Sequence, residues 1–232
     1  IRNKGCYVFH ELCSMRNRKN YHICLSVGDE VYCRCEDDFI RCFNSLALAV
    51  AETDSLLLAD AEMTNHIHEC VRTSTPEMLV SRQRYSYSRY FSNKYGRRGR
   101  FGERTPCIVE LEGVYHLLTA ISYVLRNPLH HGVTSTPFGY PFSSIGVYFK
   151  EELHGHYLPE TIPDERAYRY LPYRHSIPEG YHMDKRGMIL RETVIDIADV
   201  EHNFATPRSF LFYMNRLSNE EWIKEQRKDG NN

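Results

Sequence analysis

Alternation of apolar and polar residues from Tyr21 to Val27 predicts a first core strand. Glu36, Asp37 and Asp38 then open a helix with acids at its positive end, and Phe39, Phe43, Leu46 and Val50 give that helix one apolar face. Leu56 to Ala61 reads as a second strand and Asn65 to Arg72 as a third. From Pro76 an amphipathic helix follows, ending in a loop with Gly96, Gly99 and Gly102. Cys107-Ile108-Val109 is short, apolar and β-branched, the mark of a fourth strand. Leu111 to Asn127 is a further helix, closed by Pro128, with Val114, Leu118, Ile121 and Leu125 forming its apolar stripe. The predicted class is α+β: a split βαβ antiparallel sheet with the helices packed on one face.

The flanks are less regular. Residues 1–20 form an N-terminal extension, in which Tyr7-Val8-Phe9 is expected to add a strand. Residues 151–232 form a C-terminal extension: an irregular, proline-interrupted linker, then a strand-like and helical pattern from Met188 to Val200. A terminal helix is expected from Ser209 to Arg227 around Phe210, Tyr213, Leu217 and Trp222. A chain of 232 residues holds one sizeable domain with such an appendage. Neither an apolar run long enough to span a bilayer nor a signal peptide is visible, so a cytoplasmic location is expected.

Charge changes the picture locally. The net charge of −1 argues against a polyanionic partner. Yet residues 82–104 hold eight cations (Arg82, Arg84, Arg89, Lys94, Arg97, Arg98, Arg100 and Arg104) against the single acid Glu103. Tyr85, Tyr87, Tyr90, Phe91, Tyr95 and Phe101 are interleaved among them. Cations contact phosphates and aromatics stack unpaired bases, so this stretch is a candidate nucleic-acid surface; a solvated helix face is the plainer alternative. The eight cysteines include no Cys-x2-Cys pair and are expected as reduced thiols.

Candidate chemistry centres on Met63-Thr64-Asn65-His66-Ile67-His68. On a strand, His66 and His68 share one face while Ile67 points to the other, giving two imidazoles suited to a divalent metal. Twelve histidines in this length produce His-x-His roughly 0.6 times by chance, and His154-Gly155-His156 is a second instance in a loop-like setting. Glu69 points with Ile67 and is expected to be solvated at a strand end, with support of a ligand as the alternative. On the helix, with Val114 at zero, Tyr123 falls near 180° and Asn127 near 220°, both facing away from the stripe and one turn apart. Taken without the histidines, a surface tyrosine and an ordinary Asn-Pro helix end are the plainer reading of the same residues.

Taken together, these motifs resemble the single-tyrosine HUH transposases. Met63 to His68 is similar to their MPNHVH-type signature, and Tyr123-Val124-Leu125-Arg126-Asn127-Pro128-Leu129 to the YIxLNPV segment of their REP-associated branch. Tyr21-His22-Ile23, the basic stretch before Thr105 and Tyr140-Pro141-Phe142-Ser143-Ser144 extend the resemblance over residues 21–149, so 21–150 is the expected catalytic domain. The resemblance implies a ferredoxin-like fold and metal-dependent cleavage and rejoining of single-stranded DNA at hairpin-flanked sites. It makes Tyr123 the nucleophile, forming a 5′-phosphotyrosine, with His66, His68 and Asn127 holding Mg2+ or Mn2+. Single-stranded DNA with a hairpin is the implied partner, on a protein that is soluble, nucleoid-associated and open to homodimerisation. Relaxase- or replication-initiator-like nicking, and sequence-specific DNA binding without catalysis, are the competing readings. A free tyrosine titrates near 10, so about one in a thousand is phenolate at neutral pH; no base stands out beyond His116, which has the position of a solvated helix histidine.

Overall fold

Seven elements succeed one another in the expected order: β1 (Lys19–Ser26), α1 (Glu36–Glu52), β2 (Leu56–Glu62), β3 (His66–Thr73), α2 (Pro76–Tyr95), β4 (Cys107–Leu111) and α3 (Gly113–His130). The computed structural model describes residues 17–27, 30–98, 105–155, 159–167, 169–171 and 176–216; the extra strand expected at Tyr7-Val8-Phe9 lies outside them. The four strands form one antiparallel sheet in the order β2-β3-β1-β4. β3 therefore lies between β1 and β2, the two strands that α1 connects. The register runs from Lys19 opposite Thr73 to Ser26 opposite His66, and β4 pairs along the other side of β1.

The helices occupy both faces, not one. Ile23, Leu25, Ile67 and Val71 are fully or almost fully buried on one face, and the side chain of Glu69 on that same face meets Gln83 of α2. His66 on the opposite face meets Asn127 of α3. α1 and α2 pack together on the first face, and α3 lies on the second, over β2 and β3. Ala59 and Ala61, opposite Cys70 and His68 in the register, are the small residues that let α3 approach. An amphipathic stripe demands burial but does not say against which face, so sidedness was not in the pattern.

α3 also runs further than expected, through Pro128 to His130. Proline removes one backbone donor and crowds the carbonyl one turn back. The helix tolerates it because it stops within a turn: the N–H groups of His131, Gly132 and Val133 bond to the carbonyls of Asn127, Leu129 and Pro128, with Gly132 at φ 69°.

The rest of the described chain covers the outer edge of β2. Ser144 Oγ accepts from the N–H of Asp60 at 2.9 Å, Tyr140 donates to the carbonyl of Glu62 and Tyr148 to that of Leu58. Ile195 makes a parallel bridge to Leu57. The described part of the expected linker holds single helical turns at Lys150–Leu153 and Asp164–Ala167, and after a further turn at Arg191–Val194 come α4 (Ile197–Phe204) and α5 (Pro207–Asn215). Their Val200, Phe204, Phe210 and Met214 join the buried core. The terminal helix thus ends at Asn215, and Leu217 and Trp222 lie outside the described residues. No described helix is long and apolar enough to cross a membrane. The described cysteines, Cys24, Cys33, Cys35, Cys42, Cys70 and Cys107, are all free thiols.

Candidate functional site

β3 and α3 bring together the four side chains singled out in the sequence. His66 Nε2 stands 2.9 Å from Asn127 Oδ1. The rings of His66 and His68 are 5.0 Å apart, and the Tyr123 ring stands edge-on to His68 at 5.2 Å. Tyr123 is 39% exposed while Asn127 is fully buried. Asn127 was expected on the outer face with Tyr123, and the difference comes from Val114. That residue is exposed and not part of the stripe, which consists of Leu117, Leu118, Ala120, Ile121, Val124 and Leu125. At 100° per residue these centre near roughly 320°, putting Asn127 about 100° away and Tyr123 about 140° away. Asn127 sits on the flank that touches the sheet, and Tyr123 one step further round.

Three more histidines surround them. His22 on β1 places Nε2 3.1 Å from His68 Nδ1, and its ring is 5.7 Å from Tyr123. His131 lies 4.9 Å from His66, and His130 6.3 Å from Tyr123. The sequence marked His22 only as part of a motif; the face it shares with His68 depends on the β1–β3 register, which pairs Cys24 with His68. His116 is exposed, and its Nδ1 accepts from the N–H of Glu112 at 3.2 Å. Burial lowers the pKa of His66, His68 and His22, most of all for His68, where the neighbouring His22, His66 and His131 add to the effect. These rings are neutral at neutral pH and have lone pairs to offer.

Proton accounting at His66 is informative. A neutral imidazole carries one proton, yet Nδ1 is 2.7 Å from Asn65 Oδ1 and Nε2 is 2.9 Å from Asn127 Oδ1. Only one of those oxygens can receive it. With the proton on Nδ1, Nε2 and Asn127 Oδ1 face each other as two acceptors, while Asn127 Nδ2 is buried without a partner. Turning the amide over, or placing a cation against both acceptors, resolves the conflict. Among the described residues no three His, Cys, Asp or Glu side chains converge to hold a metal.

Behind the histidine strand lies a layer of buried acids. Glu69, expected in solvent, is fully buried and accepts from Gln83. Burial pushes its pKa up to about 8. Asp60 and Glu62 on β2 are likewise buried and share Arg191, at 2.9 and 2.6 Å. Arg191 is one of the residues sequence reasoning missed, since a single arginine in the strand-like and helical stretch from Met188 to Val200 carries no local signal.

The part of the basic stretch carried by α2 is not on the histidine face, because α2 packs on the other one. Several of the stretch's cations have partners within the fold. Lys94 bonds to buried Asp38 at 2.8 Å and Arg97 to Glu30 at 2.7 Å. Arg82 stands 3.8 Å from Glu52. Arg84 and Arg89 line a groove of about 880 Å³ with Tyr85 and Asn93, bounded by Thr105, Pro106 and Ile108 at the free edge of β4. Arg98 is exposed just beyond α2, and Arg100 and Arg104 lie outside the described residues.

No protein-family model matches this chain, and no curated protein matches it. Among solved structures it is similar to a REP-associated tyrosine transposase bound to a REP hairpin, at 12% sequence identity and a TM-score of 0.47, covering 60% of this chain and 82% of that one. A likeness at that level leaves the chemistry to be argued from this chain's own residues.

Proposed function

We propose that this protein cleaves and rejoins single-stranded DNA through a tyrosine nucleophile, in the manner of the single-tyrosine HUH transposases, on a ferredoxin-like framework. The observation that carries the reading is the meeting of Tyr123 with His66, His68 and Asn127, from two elements some sixty residues apart. DNA binding alone needs no half-exposed phenol beside paired neutral imidazoles.

A divalent metal fits the donor set. His66 Nε2 and Asn127 Oδ1 stand 2.9 Å apart, so both could turn a lone pair to one ion. Two nitrogens and an oxygen, with open positions for water and phosphate, suit Mg2+ or Mn2+. His66, His68 and Asn127 would hold the ion, which when bound would supply positive charge against a non-bridging phosphate oxygen. The residues do the rest. Tyr123 Oη forms a bond to phosphorus, the bond from phosphorus to the 3′-oxygen breaks, and the phenol proton is transferred in net terms to that oxygen. The 5′ end stays on Tyr123 as a phosphodiester, and the 3′-hydroxyl of another strand reverses the step without ATP. Arg84 and Arg89 of α2, which line the groove beside β4, are the proposed contacts for a DNA hairpin.

The test is a denaturing gel of labelled single-stranded hairpin DNA with Mn2+. Wild type forms a covalent adduct, whereas Tyr123→Phe forms none and still shifts the DNA on a native gel. An adduct surviving in Tyr123→Phe rejects Tyr123 as the nucleophile, and cleavage by wild type in excess chelator rejects the metal.

A further inference from the structure

Both imidazoles of the proposed site are held from behind at the same ring atom. Asn65 Oδ1 lies 2.7 Å from Nδ1 of His66, and His22 Nε2 lies 3.1 Å from Nδ1 of His68. We propose that Asn65 and His22 are positioning residues that fix His66 and His68 in the Nδ1–H tautomer, so that each offers its Nε2 lone pair to the metal. This rests on the reading of the site given above and adds two residues to it.

The geometry supports a hydrogen bond in the second pair. The His22 and His68 ring planes are only 17° apart, and their centroids are 5.2 Å apart for a 3.1 Å nitrogen–nitrogen contact. The rings meet rim to rim, in the plane where imidazole lone pairs and N–H bonds lie. One proton occupies that contact. Placed on His22, it leaves His68 with its own proton on Nε2 and unable to ligate. Placed on His68 Nδ1, it frees Nε2. Asn65 Oδ1 is an acceptor and selects the same state for His66. The register makes His22 able to do this: it opposes Cys70, so it is the diagonal neighbour of His68 on one face. Metal-binding histidines commonly donate their second N–H to a partner that orients the ring, and removing that partner costs about 10- to 100-fold in metal affinity.

The decisive measurement is imidazole ¹⁵N NMR on the metal-free full chain at neutral pH. His66 and His68 are expected as Nδ1–H tautomers; His68 protonated at Nε2 overturns the proposal. Co2+ titration followed by visible absorption supplies the second readout. His22→Leu is expected to weaken Co2+ binding about 10- to 100-fold, and Asn65→Leu likewise. His22→Gln, which retains an acceptor at the Nε2 position, recovers most of the loss. A folded His22→Leu that binds Co2+ as tightly as wild type also overturns the proposal. If His22→Leu does not fold, the wild-type tautomers and Asn65→Leu decide. Equal Co2+ binding by wild type and His66→Ala/His68→Ala would instead reject the metal site, while the tautomers still decide the roles of His22 and Asn65.

Discussion

Replacing Arg191 with methionine tests how the C-terminal segment is joined to the sheet. The guanidinium is buried, bonded to Asp60 Oδ2 at 2.9 Å and Glu62 Oε2 at 2.6 Å, and lies 4.2 Å from the Phe43 ring centroid. Both carboxylates are fully buried, and each has a second oxygen without a partner. Removing one member of a buried ion pair leaves an uncompensated charge at about 3–5 kcal/mol. Here part of that cost is relieved by protonation. Burial raises the pKa of Glu62, and Arg191 opposes that rise; without the arginine it climbs further. A group whose folded pKa is raised contributes stability that is fully present below its unfolded pKa and lost as pH rises through the folded one. The penalty of Arg191→Met is therefore expected at about 3 kcal/mol at pH 7.5 and to shrink towards about 1 kcal/mol near pH 4.5. Urea denaturation at the two pH values measures it. Adding Asp60→Asn and Glu62→Gln should recover most of the stability at pH 7.5, because the charges to be balanced are gone. A penalty below about 1 kcal/mol at pH 7.5, or one that does not shrink in acid, refutes this account of the cluster.

Other changes have equally definite outcomes. Glu69, with its pKa pushed up to about 8 from 4.5, contributes stability that is complete below pH 4.5 and lost as pH rises through 8. Glu69→Gln should flatten that slope, worth on the order of 5 kcal/mol across the interval, and an unchanged slope in denaturant midpoints would sink the assignment. Lys94→Gln deprives buried Asp38 of its cation and should cost about 1–3 kcal/mol. A Lys94 devoted to phosphate would instead leave the melting temperature alone and reduce the salt dependence of DNA binding, so the two measurements separate the roles. Pro128→Ala restores the missing donor inside α3 and should raise stability by about 1 kcal/mol or more; a lower melting temperature would mean that the proline shapes the turn after it.

Much of this molecule was legible because two periodicities write themselves plainly into a chain. Tyr21 to Val27, Leu56 to Ala61 and Asn65 to Arg72 showed their strands, and the spacing of Phe39, Phe43, Leu46 and Val50 showed α1. What escaped depended on position across the chain rather than along it. Glu69 looked like a strand-end acid because nothing near it in sequence foretells Gln83 coming to cover it. Val114 passed as a core residue by its chemistry alone, and it shifted the origin from which Asn127 was judged. His22 and Arg191 act through partners 46 and at least 129 residues away, and only the register and the docking of the C-terminal segment reveal them.

The described residues cover the second face of the sheet unevenly. α3 packs over β2 and β3, while Val109 and Cys107 on β4 remain exposed and His22 and Cys24 on β1 half-exposed. Tyr123 overhangs the boundary between the roofed half and the bare half. Under the proposed function, a strand brought to Tyr123 from the β4 side would pass over Val109 and Cys107 before meeting the helix. Bulk grafted at Cys107 or Val109 would act as a doorstop, closing the approach without altering any group at its end.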